Sequence, residues 1–110
     1  MVHTKTKLLF ICSRNKRRSL TAENIFENHE FYEVKSAGTA KGARVKVTTG
    51  LIGWADVILV MEKRHKELMQ QQFGEILANK QLIILHIADD YEYMDEELID
   101  ILEQRTKQLL

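Results

Sequence analysis

Three runs of unbroken apolar residues, Leu8–Ile11, Val57–Met61 and Leu82–Leu85, interrupt an otherwise mixed chain. Each is short and lacks polar–apolar alternation, the pattern of a strand buried on both faces. Phe31–Val34 reads as a further short strand, closed by the turn-forming stretch Ser36-Ala37-Gly38-Thr39. Elsewhere the apolar positions recur with helical period. Leu20, Ala22, Ile25 and Phe26 form one stripe ending near His29, and His65, Leu68, Met69 and Gln72 form a second that Gly74 interrupts. The third, Leu98, Ile101, Leu102 and Leu109, follows Asp95 as N-cap, with Glu96 and Glu97 at the positive end of the helix dipole and Lys107 near the other end. Lys41–Gly53 supports two readings: Ala43–Val47 alternates like a strand, while Gly42, Gly50 and Gly53 punctuate it like a loop. Solid apolar strands alternating with amphipathic helices predict an α/β fold, its parallel sheet covered by helices on both faces. In such folds ligands sit outside the carboxyl ends of the strands. Cys12 and the segment Ala88-Asp89-Asp90 both fall at predicted carboxyl ends.

Composition narrows the class. The chain has 110 residues, which predicts one domain over 1–110 whose core needs neither disulfide nor metal. Zero net charge provides no bulk field toward nucleic acid or anionic lipid, so neither is expected as a partner. A single cysteine suits a reducing compartment. Lys5 and Lys7 precede only Leu8–Ile11, too short for a signal sequence, and no stretch approaches a membrane span. The expected location is the cytoplasm.

The candidate chemistry lies where the first strand stops. Leu8-Leu9-Phe10-Ile11 ends at Cys12, and Ser13, Arg14, Asn15, Lys16 and Arg17 separate that thiol from Arg18-Ser19 at the start of the first helix. A strand, a short loop and a helix start together build an oxyanion cradle, because loop N–H groups and the helix dipole favour negative charge. An arginine at the junction adds a bidentate fork. Such a field favours thiolate over thiol and so makes a cysteine nucleophilic. The plainer reading is a buried structural thiol, but Cys12 ends its strand at a charged loop and does not sit within it. Arg14, Lys16, Arg17 and Arg18 are more cations than one phosphate needs. Most would only raise the local potential, and no aromatic residue interleaves them as nucleic-acid binding requires.

Asp89 and Asp90 are turn formers in the plain reading; in the functional one they supply the acid that displacement of a phenoxide from phosphorus needs. Tyr91 and Tyr93 could wall an aromatic substrate or pack on the last helix. The histidines His3, His29, His65 and His86 show no ligand spacing, so no metal is expected. The glycines fit neither the dinucleotide nor the Lys-Ser/Thr nucleotide loop, and no cofactor is expected.

With these residues in view, the chain resembles the low-molecular-weight protein tyrosine phosphatase family. Cys12-Ser13-Arg14-Asn15-Lys16-Arg17-Arg18-Ser19 matches that family's Cys-x-Gly-Asn-x-Cys-Arg-Ser, followed by Ala22-Glu23. Further matching blocks are Ser36-Ala37-Gly38-Thr39, then Ala55-Asp56-Val57-Ile58-Leu59-Val60-Met61 with His65 after it, and Asp89-Asp90-Tyr91, where the family has Asp-Pro and an aromatic. Their order runs through most of the chain, which is shorter than typical members between Thr39 and Ala55. Four departures stand out. Arg14 replaces a loop glycine, which would alter the cradle if that position needs positive φ or a close backbone approach. Arg17 replaces the second cysteine, Leu20 a proline at the helix start, and Asp90 the proline after the acid.

The resemblance implies a flavodoxin-like three-layer sandwich with four parallel strands in the order 2-1-3-4. It implies a phosphatase acting on phosphotyrosine or a small aryl phosphate in two steps through a phosphocysteine. Cys12 would be the nucleophile, Arg18 and the loop amides the oxyanion clamp, and Asp89 the acid and then the base. Ser19 would donate a hydrogen bond to the thiolate and Asn15 would fix the loop. Ser13, Arg14, Lys16, Arg17 and Tyr91 would complete the substrate site. Two rivals share the motif: a non-catalytic phosphate- or phosphopeptide-binding module, and a phosphocarrier domain phosphorylated on Cys12. Arsenate reduction uses similar loop chemistry but recruits further cysteines, which this chain lacks.

Overall fold

The structure, a computed structural model, describes residues 4–110; His3, one of the four scattered histidines, lies outside them. Among the described residues eight elements alternate: β1 (Thr6–Cys12), α1 (Arg18–Ile25), β2 (Tyr32–Gly38), α2 (Thr49–Trp54), β3 (Val57–Val60), α3 (Lys63–Leu77), β4 (Gln81–Ile84) and α4 (Glu96–Leu109). The strands form one parallel sheet in the order β2-β1-β3-β4. Strand β1 is central, pairing Leu8–Cys12 with Val34–Gly38 on one side and Leu8–Ile11 with Val57–Val60 on the other.

The absence of alternation in β1 follows from burial on both faces. Leu8, Phe10 and Cys12 point into one apolar layer with Ala22, Phe26, Leu98 and Leu102 from the α1 and α4 side. Leu9 and Ile11 point into the other, with Ile52 of α2 and Met69 and Leu77 of α3. Burying a side chain of this size contributes about 1.5–3 kcal/mol, so both faces tie the sheet to its helices. This is the flavodoxin-like three-layer arrangement. Among the described residues no helix is long and apolar enough to cross a membrane.

Several boundaries differ from the sequence expectation. Ser36-Ala37-Gly38 is no turn but the carboxyl half of β2, in register with Phe10–Cys12; its small side chains let the backbone lie close to the loop that follows β1. Helix α1 ends at Ile25, before His29, where Phe26 leaves helical geometry and Asn28 takes a left-handed φ of 63°. Within Lys41–Gly53 only Lys46 makes an isolated bridge, to Gly38, and Thr48 then caps the short α2 by accepting from the Leu51 N–H at 3.2 Å. Helix α3 runs on through Gly74, with a kink at Phe73 (φ −130°, ψ 17°). Asp95 caps α4, accepting from the Glu97 N–H at 2.9 Å. Leu98 and Leu102 are buried as expected, but the next buried position on that face is Thr106, and Leu109 is 46% exposed.

Candidate active site

Strand β1 delivers Cys12 to the carboxyl edge of the sheet, and residues 13–17 loop from there to α1. Four successive carbonyls of this stretch are pinned from behind. The Thr39 N–H donates to the Cys12 carbonyl (3.0 Å), the Ala40 N–H to Ser13 (2.9 Å) and the Arg44 N–H to Arg14 (3.0 Å). The Arg44 Nε–H donates to the Asn15 carbonyl at 3.1 Å. In a trans peptide the N–H points opposite the preceding carbonyl, so the amides of Ser13, Arg14, Asn15 and Lys16 turn to the front. The Asn15 amide accordingly donates to Cys12 Sγ at 3.3 Å. Those of Ser13, Arg14 and Lys16 meet no protein acceptor among the described residues.

The approach of β2 to this loop depends on Gly38, since a Cβ there would lie 2.4 Å from the Ser13 carbonyl oxygen and 2.7 Å from the Ala43 Cβ. The left-handed residue of the loop is Asn15 (φ 59°), a residue type that tolerates that region. Arg14 has no positive φ, so the glycine-to-arginine departure costs no backbone strain.

Asn15 is fully buried and donates through Nδ2 to Ser19 Oγ and Ser36 Oγ, both at 2.8 Å, while its Oδ1 stays buried and unbonded. Ser36 in turn donates to Glu23 Oε1 at 2.7 Å. Because Ser19 Oγ accepts from Asn15, its own proton can go to Cys12 Sγ, 2.9 Å away; the Ala37 carbonyl is farther, at 3.4 Å. Asn15 and Ser19 thus sit behind the loop and support the sulfur.

Arg18 is 2% exposed and its Nη1 donates to Glu62 Oε2 at 2.6 Å and to the Ile87 carbonyl at 2.8 Å. Its Nε lies 3.7 Å from Asp89 Oδ1. Burial by itself raises the Glu62 pKa, but hydrogen bonds from Arg18 and Arg64, with their charges, outweigh it and hold the carboxyl below its ordinary value. A nearly buried guanidinium is thereby kept in place by a carboxylate that sequence reading missed. Glu62 comes directly after the Val57–Met61 run, at the carboxyl end of β3, which is where a search of strand ends would have found it.

His65, read as one of several scattered histidines, is also part of the site. Its Nδ1 accepts from the Glu62 N–H at 3.1 Å, closing a capping box on α3. The ring proton therefore sits on Nε2, which donates to Ser13 Oγ at 2.9 Å. Burial first, then the charges of Arg18 and Arg64, lower its pKa to about 4. The unfolded chain takes up this proton near the ordinary value of 6.5 and the folded chain only near 4. Stability accordingly falls as pH drops through that window, by about 3 kcal/mol in all. Denaturant midpoints measured from pH 7 to pH 4 should show this slope in the parent and a flatter one in His65→Asn. An equally steep slope in the variant would remove His65 as its source.

The front of the loop opens into a cleft of about 360 Å³. Cys12, Ser13, Arg14, Lys16, Arg17, Arg18, Arg64 and Asp89 line it. Of the adjacent aspartates, Asp89 reaches the cleft and Asp90 is exposed outside it. Tyr91 packs against the apolar layer that holds Leu98 and Leu102 and is not among the residues that line the cleft. Tyr93 Oη instead accepts a short hydrogen bond, 2.5 Å, from Asn24 Nδ2.

No family model matches this sequence, and no curated protein matches it. Solved structures do. The YwlE arginine phosphatase from Geobacillus stearothermophilus superimposes with a TM-score of 0.74 at 23% identity, covering 94% of this chain and 92% of its own. Vibrio vulnificus Wzb, in complex with benzylphosphonate, gives 0.75 at 20% identity over 96% and 97%. The low-molecular-weight protein tyrosine phosphatase from T. tengcongensis gives 0.74 at 20% identity over 96% and 100%. Together with the strand order and the strand–loop–helix geometry around Cys12, these likenesses establish that the chain adopts the fold of the low-molecular-weight protein tyrosine phosphatases.

Proposed function

We propose that this protein is a cysteine-dependent phosphatase that hydrolyses aryl phosphate monoesters, on phosphorylated protein or small molecules, through a phosphocysteine. The observation that carries this reading is the loop whose four pinned carbonyls turn its amides to the front, the Asn15 amide donating to Cys12 Sγ at 3.3 Å, in the same cleft as Arg18 and Asp89. In the first step the Cys12 thiolate attacks phosphorus. The S–P bond forms as the P–O bond to the phenol breaks, and Asp89 in its acid form gives its proton to the leaving oxygen. The loop amides and Arg18 hold the three equatorial oxygens, where a single such donor is worth about 2.7–4 kcal/mol of barrier. In the second step water attacks phosphorus, its proton passes to Asp89, and the electron pair of the S–P bond returns to sulfur.

The solved neighbours include tyrosine phosphatases and an arginine phosphatase. A phenolic leaving group suits this chain better than a guanidino group, because the cleft carries five cations against one carboxylate and repels a further positive charge.

Phenyl phosphate hydrolysis, inactivation by iodoacetate and protection by inorganic phosphate are the expected results; a protein that binds phosphate but never releases phenol is instead a binding module. The acid is tested by two variants. Asp89→Asn should slow phenyl phosphate turnover by about a hundredfold or more, in line with loss of a general acid, and Asp90→Asn much less. The reverse order would move the acid by one position.

A further inference from the structure

We infer that the preferred substrate carries two phosphate groups, the second held at the rim by Arg14 and Lys16 while Cys12 attacks the first. This rests on the phosphatase reading above and names its substrate class. The transferred group is already provided for: the loop amides face it, and the buried Arg18 adds the guanidinium. Arg64 is bound to Glu62 at 2.9 Å, and Arg17 has a loose partner in Glu92 at 3.9 Å. Arg14 and Lys16 are different. Both side chains are exposed, both line the cleft, and neither makes a side-chain hydrogen bond or ion pair among the described residues.

Two unpartnered cations on the lip of an anion site, in a chain with zero net charge, localise potential where a substrate enters. Their summed charge matches a phosphate dianion, whereas a single carboxylate would neutralise only half of it. No aromatic side chain lines the cleft among the described residues, so stacking does not supply the affinity for the leaving group. The electrostatic rim is the remaining source. The phosphoryl transfer is unchanged by this: the second phosphate stays on the leaving phenol and departs with it.

The test compares kcat/KM for 1,3-phenylene bisphosphate and phenyl phosphate, which share a phenolic leaving group. After allowance for its two equivalent phosphoryl groups, the bisphosphate should be favoured about tenfold at low ionic strength, and the preference should shrink as salt screens the rim. In Arg14→Ala/Lys16→Ala the ratio should move toward one; both side chains are exposed, so the fold should tolerate their loss. Equal hydrolysis of the two substrates by the parent overturns the inference and leaves the phosphatase reading standing. No hydrolysis of either overturns that reading and the inference with it. A phosphotyrosine peptide with flanking glutamates, cleaved faster than the bisphosphate in a manner dependent on Arg14 and Lys16, overturns the small bisphosphate in favour of an acidic peptide.

Discussion

Cys12→Ser should lower aryl phosphate turnover at least about ten-thousandfold, the scale seen when a nucleophile is removed from an otherwise intact site, while inorganic phosphate still binds. Serine offers a neutral hydroxyl, a far weaker nucleophile than a thiolate, so the substitution removes the attacking anion. It leaves the four anchored carbonyls, the forward-facing amides and the Arg18–Glu62 pair untouched. Stopped turnover with retained phosphate affinity, measured by calorimetry on the variant, is therefore the expected pair of results. Equal turnover by variant and parent would refute the nucleophile assignment.

The second large effect is expected at a residue with no side chain to take part in the chemistry, the neighbour of Cys12 on β2. Gly38→Ala would put a methyl group 2.4 Å from the Ser13 carbonyl oxygen, and the obstruction is backbone that no side-chain rotation relieves. Either β2 backs away or the loop shifts forward, and both disturb the bonds from Thr39 to Cys12 and from Ala40 to Ser13. Overpacking of this kind costs about 1–3 kcal/mol of stability. A displacement of about 1 Å in a site that works by positioning costs about a hundredfold in rate. The measurement pairs kcat with a denaturant midpoint, using Gly53→Ala as the control, since a Cβ there meets nothing within 4 Å. If Gly38→Ala leaves both kcat and midpoint at the parent's values, the close approach does not govern the loop.

Much of this architecture was legible before any coordinates. The unbroken runs Leu8–Ile11 and Val57–Met61 gave the buried strands because doubly buried strands have no polar face to alternate with. Asp95 was readable as a cap from its own chemistry, and Cys12 as the end of a strand from the charges after it. Local composition misled where a tertiary approach set the requirement. Ser36-Ala37-Gly38 looks like a turn, yet its small residues serve the packing of β2 behind the loop. Thr106 takes the buried place expected of a leucine because the face follows Leu98 and Leu102 in steps of four. Tyr91 and the aspartates before it seemed to belong together, but the aromatic ring follows the apolar layer and Asp89 follows the cleft. The contacts of Glu62 and His65 were not legible, since their partners Arg18 and Ser13 lie 44 and 52 positions away in sequence; only the place of Glu62 at a strand end and of His65 after a matching block marked them.

The anchoring of the loop from its rear has one further consequence. Its carbonyls are held by the N–H groups of Thr39, Ala40 and Arg44 and by the Arg44 side chain, so the side chains of Arg14 and Lys16 carry no structural duty of their own. On the substrate class inferred above, shape and choice of cargo would be written in separate parts of the same eight residues. The rim can be rewritten by exchange of two outward-facing side chains, and the machinery beneath need not be rebuilt.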